Sequence, residues 1–376
     1  MSGSSQLRTI QALRGVAALL VMMGHLRTIE ARQSGATDAG ERPLMSDIWV
    51  NGASGVDLFF VISGFIMVWV AGNTAAGPRS AGNFILARVF RIYPLWWLFA
   101  GLTAAYFWIS YGVPWDSAEL DRRGMDGIDY MIKSALLIPQ AWLPVLNVGW
   151  TLIHEMYFYV VFAILLLFPQ RWRGPAMLLW AGLVLVPASL GTSTFYASTL
   201  LELATYPMTL EFLMGAGAAY LIRANKVDFS RTAFCLGLLS FAIAFATFPL
   251  FLGFHEYLAW YRTLFFGVPS ALIVYGLVQM ELKHNVGQRV SQSLVRIGDW
   301  SYALYLSHIL VLSGLGRVWF AVFEPSWTAR AGFIVVAIAA AICVSALAYY
   351  LYERPIIRLG KIWTRQKVTT ASPSSP

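Results

Sequence analysis

An arginine and a histidine lie eleven positions apart in the first apolar stretch of the chain, IQALRGVAALLVMMGHL. On an α-helix, eleven steps of about 100° bring His25 back to the face that carries Arg14, about 16 Å further along the axis. Ionisable groups inside a membrane are costly unless they face a protein interior or a pathway. The pair is therefore a candidate functional site. The alternative is an arginine that extends to the interface and a histidine that hydrogen-bonds a neighbouring helix.

The kind of helix that carries this pair follows from the composition. The chain has 376 residues, of which 58% are hydrophobic and 12% charged, and its mean hydropathy is +0.62. Soluble proteins carry about 25% charged residues, so this composition predicts an all-α, polytopic membrane protein. Ten apolar stretches are long enough to span a membrane. They lie at about 10–29, 48–71, 92–110, 150–168, 174–192, 206–222, 232–251, 261–280, 300–319 and 330–352.

Two further segments complete the predicted organisation. The apolar piece at 131–146 contains Pro139 and Pro144 and is too short to span, so it is interpreted as a re-entrant or interfacial segment. The polar end of the chain, 363–376, is predicted to be a disordered cytoplasmic tail. Residues 1–362 are predicted to form a single integral-membrane domain.

The distribution of charge predicts the orientation in the membrane. With ten spans and the N-terminus inside, most of the 27 basic residues fall on the inner side, and most of the 19 acidic residues fall on the outer side. This bias agrees with the positive-inside rule, so both termini are predicted to be cytoplasmic. The net charge of +8 then reflects orientation, and no nucleic-acid partner is needed to explain it.

Two carboxylates are predicted to lie at the same membrane depth as His25. Asp57 and Glu155 stand near the outer starts of their helices, and His25 lies in the outer half of a helix that enters from inside. A carboxylate beside a histidine can orient the ring and stabilise the imidazolium, which is an arrangement for general-base catalysis. For either carboxylate alone, a structural hydrogen bond between helices is the alternative.

Two other polar sets stand out. Arg88 and Arg91 share a helix face, and Arg14 is expected near the same membrane level, so three guanidinium groups could bind phosphates; ordinary positive-inside anchoring is the alternative. A second-tier set, assigned to the acceptor side, lies on one face of a later helix at i, i+4 and i+7. Its members are Ser301, Tyr305 and His308.

The cysteines and short motifs exclude several classes of protein. Only Cys235 and Cys343 occur, both inside predicted helices, so neither a disulfide framework nor a zinc-type spacing exists, and no metal site is predicted. The sequence also contains no P-loop and no GxSxG elbow.

Several motifs, in order along the chain, resemble those of the acyltransferase-three family of bacterial membrane O-acyltransferases. They are the Arg14 to His25 spacing, SGVDLFFVISGF at 54–65, Arg88-x-x-Arg91 followed by Tyr93-Pro94, WTLIHEMYFY at 150–159, SYALYLSH at 301–308 and YERP at 352–355. The resemblance covers nearly the whole chain and is greatest to the branch that acetylates exopolysaccharides such as succinoglycan. One position departs from that branch, where an aromatic residue or Asn is usual and this chain has His154.

The resemblance implies a reaction and its participants. Acyl-CoA, with acetyl-CoA as the expected donor in this branch, would bind from the cytoplasm as a co-substrate, with no tightly bound cofactor. Its phosphates would lie at Arg14, Arg88 and Arg91, beside Tyr93. His25 would act as the base, or as an acyl-carrying nucleophile, with Asp57 or Glu155 orienting its ring.

The remaining implications concern the acceptor and the location. The acceptor would be a surface polysaccharide or a lipid-linked oligosaccharide, with Trp150 counted with the second-tier set. The expected location is the bacterial inner membrane, among membrane lipids.

Two other classes of function remain as alternatives. A transporter or flippase of a lipid-linked saccharide would also have ten helices and buried charges, although no inverted repeat is seen and the basic cluster lies at one membrane face. A structural subunit of an export complex is the third possibility, and it predicts no consequence for a conservative change at His25.

Overall fold

A computed structural model describes residues 7–36, 42–71, 74–189, 198–224, 228–248 and 258–369, with only the backbone at 187–189, 258 and 363–369. Within these ranges the chain is helical and has no β-strand. The α-helices are α1 (Arg8–Gln33), α2 (Ser54–Ala71), α3 (Pro78–Tyr111), α4 (Ser117–Arg123), α5 (Gly127–Leu136), α6 (Gly149–Leu165), α7 (Gln170–Ser189), α8 (Leu200–Ala204), α9 (Thr209–Ala224), α10 (Ser230–Thr247), α11 (Leu258–Arg262), α12 (Val268–His284), α13 (Gln292–Asp299), α14 (Ser301–Val322), α15 (Trp327–Ala348) and α16 (Arg354–Thr369). Short 3₁₀ or π segments lie at Asp47–Ala53, Thr263–Gly267, Val286–Arg289 and Tyr349–Glu353.

The all-helical membrane class is confirmed, whereas the number of spans is not. Seven helical stretches among the described residues are long and apolar enough to cross a membrane. They are Arg8–Gln33, Asp47–Ala71, Pro78–Tyr111, Ser230–Thr247, Ala259–His284, Ser301–Val322 and Trp327–Ile362. The spans predicted at 150–168, 174–192 and 206–222 fall on α6, α7 and α9, which do not meet that standard, and 190–192 and 249–251 lie outside the described residues.

Helix α3 begins much earlier than the span predicted at 92–110. It starts at Pro78, directly after Gly77 at φ 135°, and continues through Pro94 to Tyr111. The sequence pattern missed the first turns because arginines interrupt the apolar run and because a proline usually marks a helix start. Arg88 therefore lies about 15 Å along α3 from its first residue. The sequence predicted it just before the start of the membrane span.

The segment predicted to be re-entrant or interfacial consists of the short helix α5 and an irregular stretch. The helix ends at Leu136, and the next residue, Leu137, has a left-handed backbone with φ 55°. Three aromatic side chains of α3 donate to the carbonyl groups at the end of α5, which ties the two helices together. The bonds join Tyr93 Oη to Leu136 O (2.8 Å), Trp96 Nε1 to Ser134 O (3.1 Å) and Trp97 Nε1 to Ala135 O (2.9 Å). Membrane placement of this segment stays a prediction.

The contacts divide the chain into two compact units, which are described separately. The first comprises residues 1–70, 181–195 and 205–346, and the second comprises 71–180, 196–204 and 347–376. The single domain predicted over 1–362 stays a prediction.

In the first unit, α1 is held closely by α12, α13 and α14. A Cβ atom at Gly298 of α13 would lie 1.8 Å from the Gln11 carbonyl oxygen, so only glycine permits this contact. At the start of α1, the Glu281 carboxylate accepts hydrogen bonds of 2.9 Å from the N–H groups of Arg8 and Thr9. Because a helix N-terminus attracts negative charge, these bonds fix the start of α1.

The predicted tail is partly helical in the second unit. Helix α16 continues to Thr369, into the stretch from 363 that the polar composition predicts to be disordered. The residues from 354 to 368 include no proline after Pro355 and no glycine after Gly360, which allows the helix to continue. Residues 370–376 of the predicted tail lie outside the described residues.

The predicted orientation can be tested by cysteine labelling. In a variant without Cys235 and Cys343, a cysteine at exposed Asp121 is expected to react with an impermeant thiol reagent from outside, whereas cysteines at exposed Arg79 and Arg289 are not. The reason is that the basic connections are predicted to face the cytoplasm. Permeabilised cells provide the control in which all three sites react. Labelling at Arg79 in intact cells would reverse the orientation.

Candidate active site

The first unit carries Arg14 and His25 on one unbroken helix, α1. The eleven residues of helical rise separate the two side chains by about 16 Å along the axis, as their spacing predicts. Arg14 is 8% exposed, and its guanidinium donates to Gln11 Oε1 at 3.3 Å. His25 is partly exposed, so a substrate could reach its ring.

The imidazole of His25 lies beside that of His308. Nδ1 of His25 is 3.2 Å from Nε2 of His308, and the ring centroids are 5.0 Å apart. The same Nδ1 is 2.9 Å from the carbonyl oxygen of Val21, one turn earlier on α1. His308 is fully buried on α14, and its Nδ1 lies 3.0 Å from Leu304 O.

These contacts assign the tautomers of both neutral rings. Since a carbonyl oxygen only accepts hydrogen bonds, Nδ1 of His308 carries its proton and Nε2 is left as an acceptor. Nδ1 of His25 then carries a proton shared between Val21 O and His308 Nε2. The second nitrogen of His25, Nε2, is therefore unprotonated and can accept a proton, as a general base requires.

Asp57, which was expected to orient His25, is paired with an arginine instead. It is fully buried on α2, and its carboxylate accepts two bonds from Arg262, at 2.7 Å from Nη2 and 3.3 Å from Nε. Arg262 also donates to Ala53 O at 2.9 Å. A buried carboxylate gains more from a cation than from a neutral imidazole. For this reason Asp57 pairs with Arg262 and not with His25 as predicted.

The other members of the predicted second-tier set are also buried on α14. Ser301 and His308 are fully buried, and Tyr305 is 6% exposed. The ring of Tyr305 is 6.0 Å from that of His308 and packs edge-on against Phe59 at 5.9 Å. This face of α14, which carries His308, is therefore buried along its length from Ser301 to His308.

The second unit brings Arg88 and Glu155 together with Tyr159. The guanidinium carbon of Arg88 lies 5.1 Å from the ring centroids of both Phe84 and Tyr159. The hydroxyl of Tyr159 donates to Glu155 Oε1, one helical turn away on α6. Because cations are attracted to aromatic faces, the two rings hold the guanidinium in place. Nε of Arg88 is buried without a hydrogen-bond partner among the described residues.

The remaining predicted residues of the second unit have local contacts. Arg91 is partly exposed on α3, and the Tyr93 hydroxyl is used to hold α5 as described above. Trp150 packs edge-on against His154 at 5.6 Å, and its carbonyl oxygen lies 3.1 Å from His154 Nδ1. His154 is 3% exposed, so it is a buried part of α6.

Sequence reasoning missed three residues that shape these clusters. Arg262 stands at the start of a predicted span, where a basic residue is usually interpreted as an anchor at the interface. Phe84 precedes the predicted start of its helix. Tyr159 could have been found, because it follows Glu155 by four positions on one helix. Among the described residues, no group of three acidic, histidine or cysteine side chains could hold a metal ion.

Comparison with known proteins identifies the family. The model of a family described as "Acyltransferase domain" matches residues 7–350. The chain belongs to this acyltransferase family. It is thus a multi-pass membrane O-acyltransferase, an enzyme that acylates hydroxyl groups. No solved structure matches it.

Three relatives are similar over large parts of their lengths. The exopolysaccharide production protein ExoZ of Rhizobium meliloti is 29% identical over 321 residues, 82% of this chain and 91% of that protein. The acyltransferase MdmB of Streptomyces mycarofaciens is 27% identical, over 97% of this chain and 95% of its own. Protein 2 in the picA locus of Rhizobium radiobacter is 28% identical, over 47% of this chain and 87% of its own.

Proposed function

We propose that this acyltransferase moves an acyl group from cytoplasmic acyl-CoA to a hydroxyl of a surface polysaccharide sugar, and that the acyl group is acetyl. The observation that carries the proposal is the partly exposed His25, whose Nδ1 faces Val21 O and His308 so that Nε2 is free to accept a proton. The name of the relative ExoZ, an exopolysaccharide production protein, supports the class of acceptor. A lipid-linked oligosaccharide is the form of acceptor that a membrane enzyme meets most directly.

The reaction requires one base and a route for one proton. His25 Nε2 accepts the proton of the sugar hydroxyl as its oxygen attacks the thioester carbonyl carbon. The bond from carbon to sulfur then breaks, and the imidazolium returns the proton to the leaving CoA thiolate. The products are the sugar ester and free CoA. An acyl-histidine intermediate is the variant mechanism, in which His25 attacks the thioester first.

Donor binding is assigned to the arginines. Guanidinium groups bind phosphate through paired hydrogen bonds, which suits Arg14, Arg88 and Arg91. The unpartnered, buried Nε of Arg88 supports this role, because a buried donor without a partner costs free energy until a ligand supplies one. Tyr93, two positions after Arg91 on α3, is assigned to donor binding as well.

The two carboxylates receive different proposed roles. Glu155 accepts from Tyr159, whose ring packs on Arg88, so we assign it to holding the donor-binding arginine. Asp57 is assigned to the stability of the first unit through its ion pair with Arg262.

Trp150, Ser301 and Tyr305 remain proposals for the acceptor side. We also retain the inner membrane and cytoplasmic termini as the proposed location.

Neutralising the donor-binding arginines is expected to weaken acyl-CoA binding. Arg88→Gln and Arg91→Gln should each raise the KM for acyl-CoA about tenfold or more, because charge-assisted hydrogen bonds contribute about 1.5–3 kcal/mol each. The double variant should lose more than either single one. Titration of CoA against the purified variants measures this directly.

An arginine on the same helix provides the matched control. Arg79 lies nine positions before Arg88 on α3, half a turn away around the helix axis, and it is exposed. Arg79→Gln should therefore leave CoA affinity unchanged. An unaltered CoA affinity in the Arg88 and Arg91 double variant would contradict phosphate binding. It would favour the alternative that these arginines anchor the helix at the membrane surface.

The proposed function is tested by transfer in a purified system. The protein in lipid nanodiscs is incubated with acetyl-CoA carrying a labelled acetyl group and with a de-O-acetylated polysaccharide. We expect labelled, alkali-labile ester on the polysaccharide and release of free CoA. Absence of both with acetyl-CoA, longer acyl-CoAs and lipid-linked oligosaccharide would contradict the proposal.

A further inference from the structure

The group that orients the candidate base is an imidazole. Among the described residues, the hydrogen-bond partners of His25 are the carbonyl of Val21 and the ring of His308, and no carboxylate bonds to it. Asp57, the acid expected at this position, bonds to Arg262. In a serine-hydrolase triad the corresponding partner is a buried aspartate. The site therefore needs another account of how its imidazolium is stabilised.

We propose that His308 is the positioning residue for His25, and that the two histidines act as a neutral dyad. The inference rests on the transfer proposed above. Nδ1–H of His308 donates to Leu304 O, which leaves its Nε2 as an acceptor facing His25 Nδ1. His308 thus holds the tautomer in which His25 Nε2 is free. Its full burial keeps water from taking its place.

The dyad also stabilises the charge that forms during transfer. When His25 takes the substrate proton, its Nδ1–H becomes a cationic donor and its bond to His308 Nε2 becomes charge-assisted. Hydrogen bonds to charged groups are about twice as strong as neutral ones, so this bond strengthens between ground state and transition state. A neutral partner provides this gain without placing a permanent carboxylate inside the membrane.

Two substitutions at the same position separate hydrogen bonding from packing. Methionine fills similar space but leaves His25 Nδ1 with only the carbonyl of Val21, whereas glutamine offers an amide oxygen where Nε2 stood. In the purified protein, His308→Met should lower kcat about 10- to 100-fold, with the KM for acyl-CoA unchanged. His308→Gln should restore most of the lost kcat.

A volume-conserving change on the same helix is the control for packing. Leu312 is fully buried on α14, four positions after His308, and Leu312→Met should leave kcat within about twofold. A wild-type kcat in His308→Met would overturn the dyad. So would a folded His308→Gln variant that is as slow as a folded His308→Met variant. If His308→Met does not fold, a folded His308→Gln variant whose kcat is at least tenfold below that of the wild type would overturn the dyad.

The outcome for His25 distinguishes this inference from the proposed function. If His25→Ala is inactive while His308→Met keeps its kcat, the dyad is wrong and the transfer reaction stands. If both variants keep wild-type turnover, the base mechanism itself is wrong. Melting curves of all variants, recorded on the same preparations, identify any loss of folding.

Discussion

Replacing His25 by alanine is expected to abolish acyl transfer while the protein still folds and inserts. A general base contributes about 10²- to 10⁴-fold to a rate, so turnover should fall by at least that factor. Folding should persist because His25 is partly exposed and alanine favours the helix that carries it. The measurement is kcat of the purified variant with acetyl-CoA and acceptor, together with its melting temperature.

An exposed histidine supplies the control for this experiment. His284 ends α12 on the surface, and His284→Ala should leave turnover unchanged. CoA affinity should also remain unchanged in His25→Ala, because the phosphates are proposed to bind at the arginines. A His25→Ala protein with near wild-type turnover would remove the base from the mechanism.

Removing Arg262 is expected to destabilise the first unit strongly. Arg262→Met leaves the buried carboxylate of Asp57 without its cation, which typically costs about 3–5 kcal/mol. Glu211 is also fully buried, and it accepts a bond from the hydroxyl of Thr263, the residue after Arg262. The free energy of unfolding in detergent, followed by intrinsic fluorescence, measures the loss.

Neutralising both partners tests whether the pair, and not packing alone, causes this loss. The double variant Asp57→Asn with Arg262→Met should recover part of the stability, giving a coupling free energy well above 1 kcal/mol. The exposed pair of Lys133 and Asp129 is the matched control, where Lys133→Met should cost less than about 1 kcal/mol. Equal losses for Lys133→Met and Arg262→Met would contradict the structural role assigned to Asp57.

The helices could be predicted from the sequence because apolar length is a local property. Within the described residues every predicted span overlaps a helix, although only seven stretches there meet the standard of length and hydropathy. The start of α3 could not be predicted, because arginines interrupt its apolar pattern and Pro94 lies inside the helix. Packing stabilises a helix there that the local sequence does not indicate.

The pairing of the site residues was less predictable than their identity. The spacing of Arg14 and His25 follows from helix geometry alone. The partner of His25 depends on how α14 is rotated about its axis, and the partner of Asp57 is 205 positions away in sequence. Estimates of depth along separate helices contain neither kind of information, so they predict a carboxylate where the structure has His308.

The most direct test of the central claim is chemical analysis of the surface polysaccharide from cells with and without the protein. Proton NMR and alkali-released acid measure its ester content in the wild type, in a deletion strain and in strains that express His25→Ala or His284→Ala. We expect ester in the wild type and in His284→Ala, and its loss in the deletion strain and in His25→Ala. Equal ester content in all four polysaccharides would contradict the claim that this chain acylates a polysaccharide.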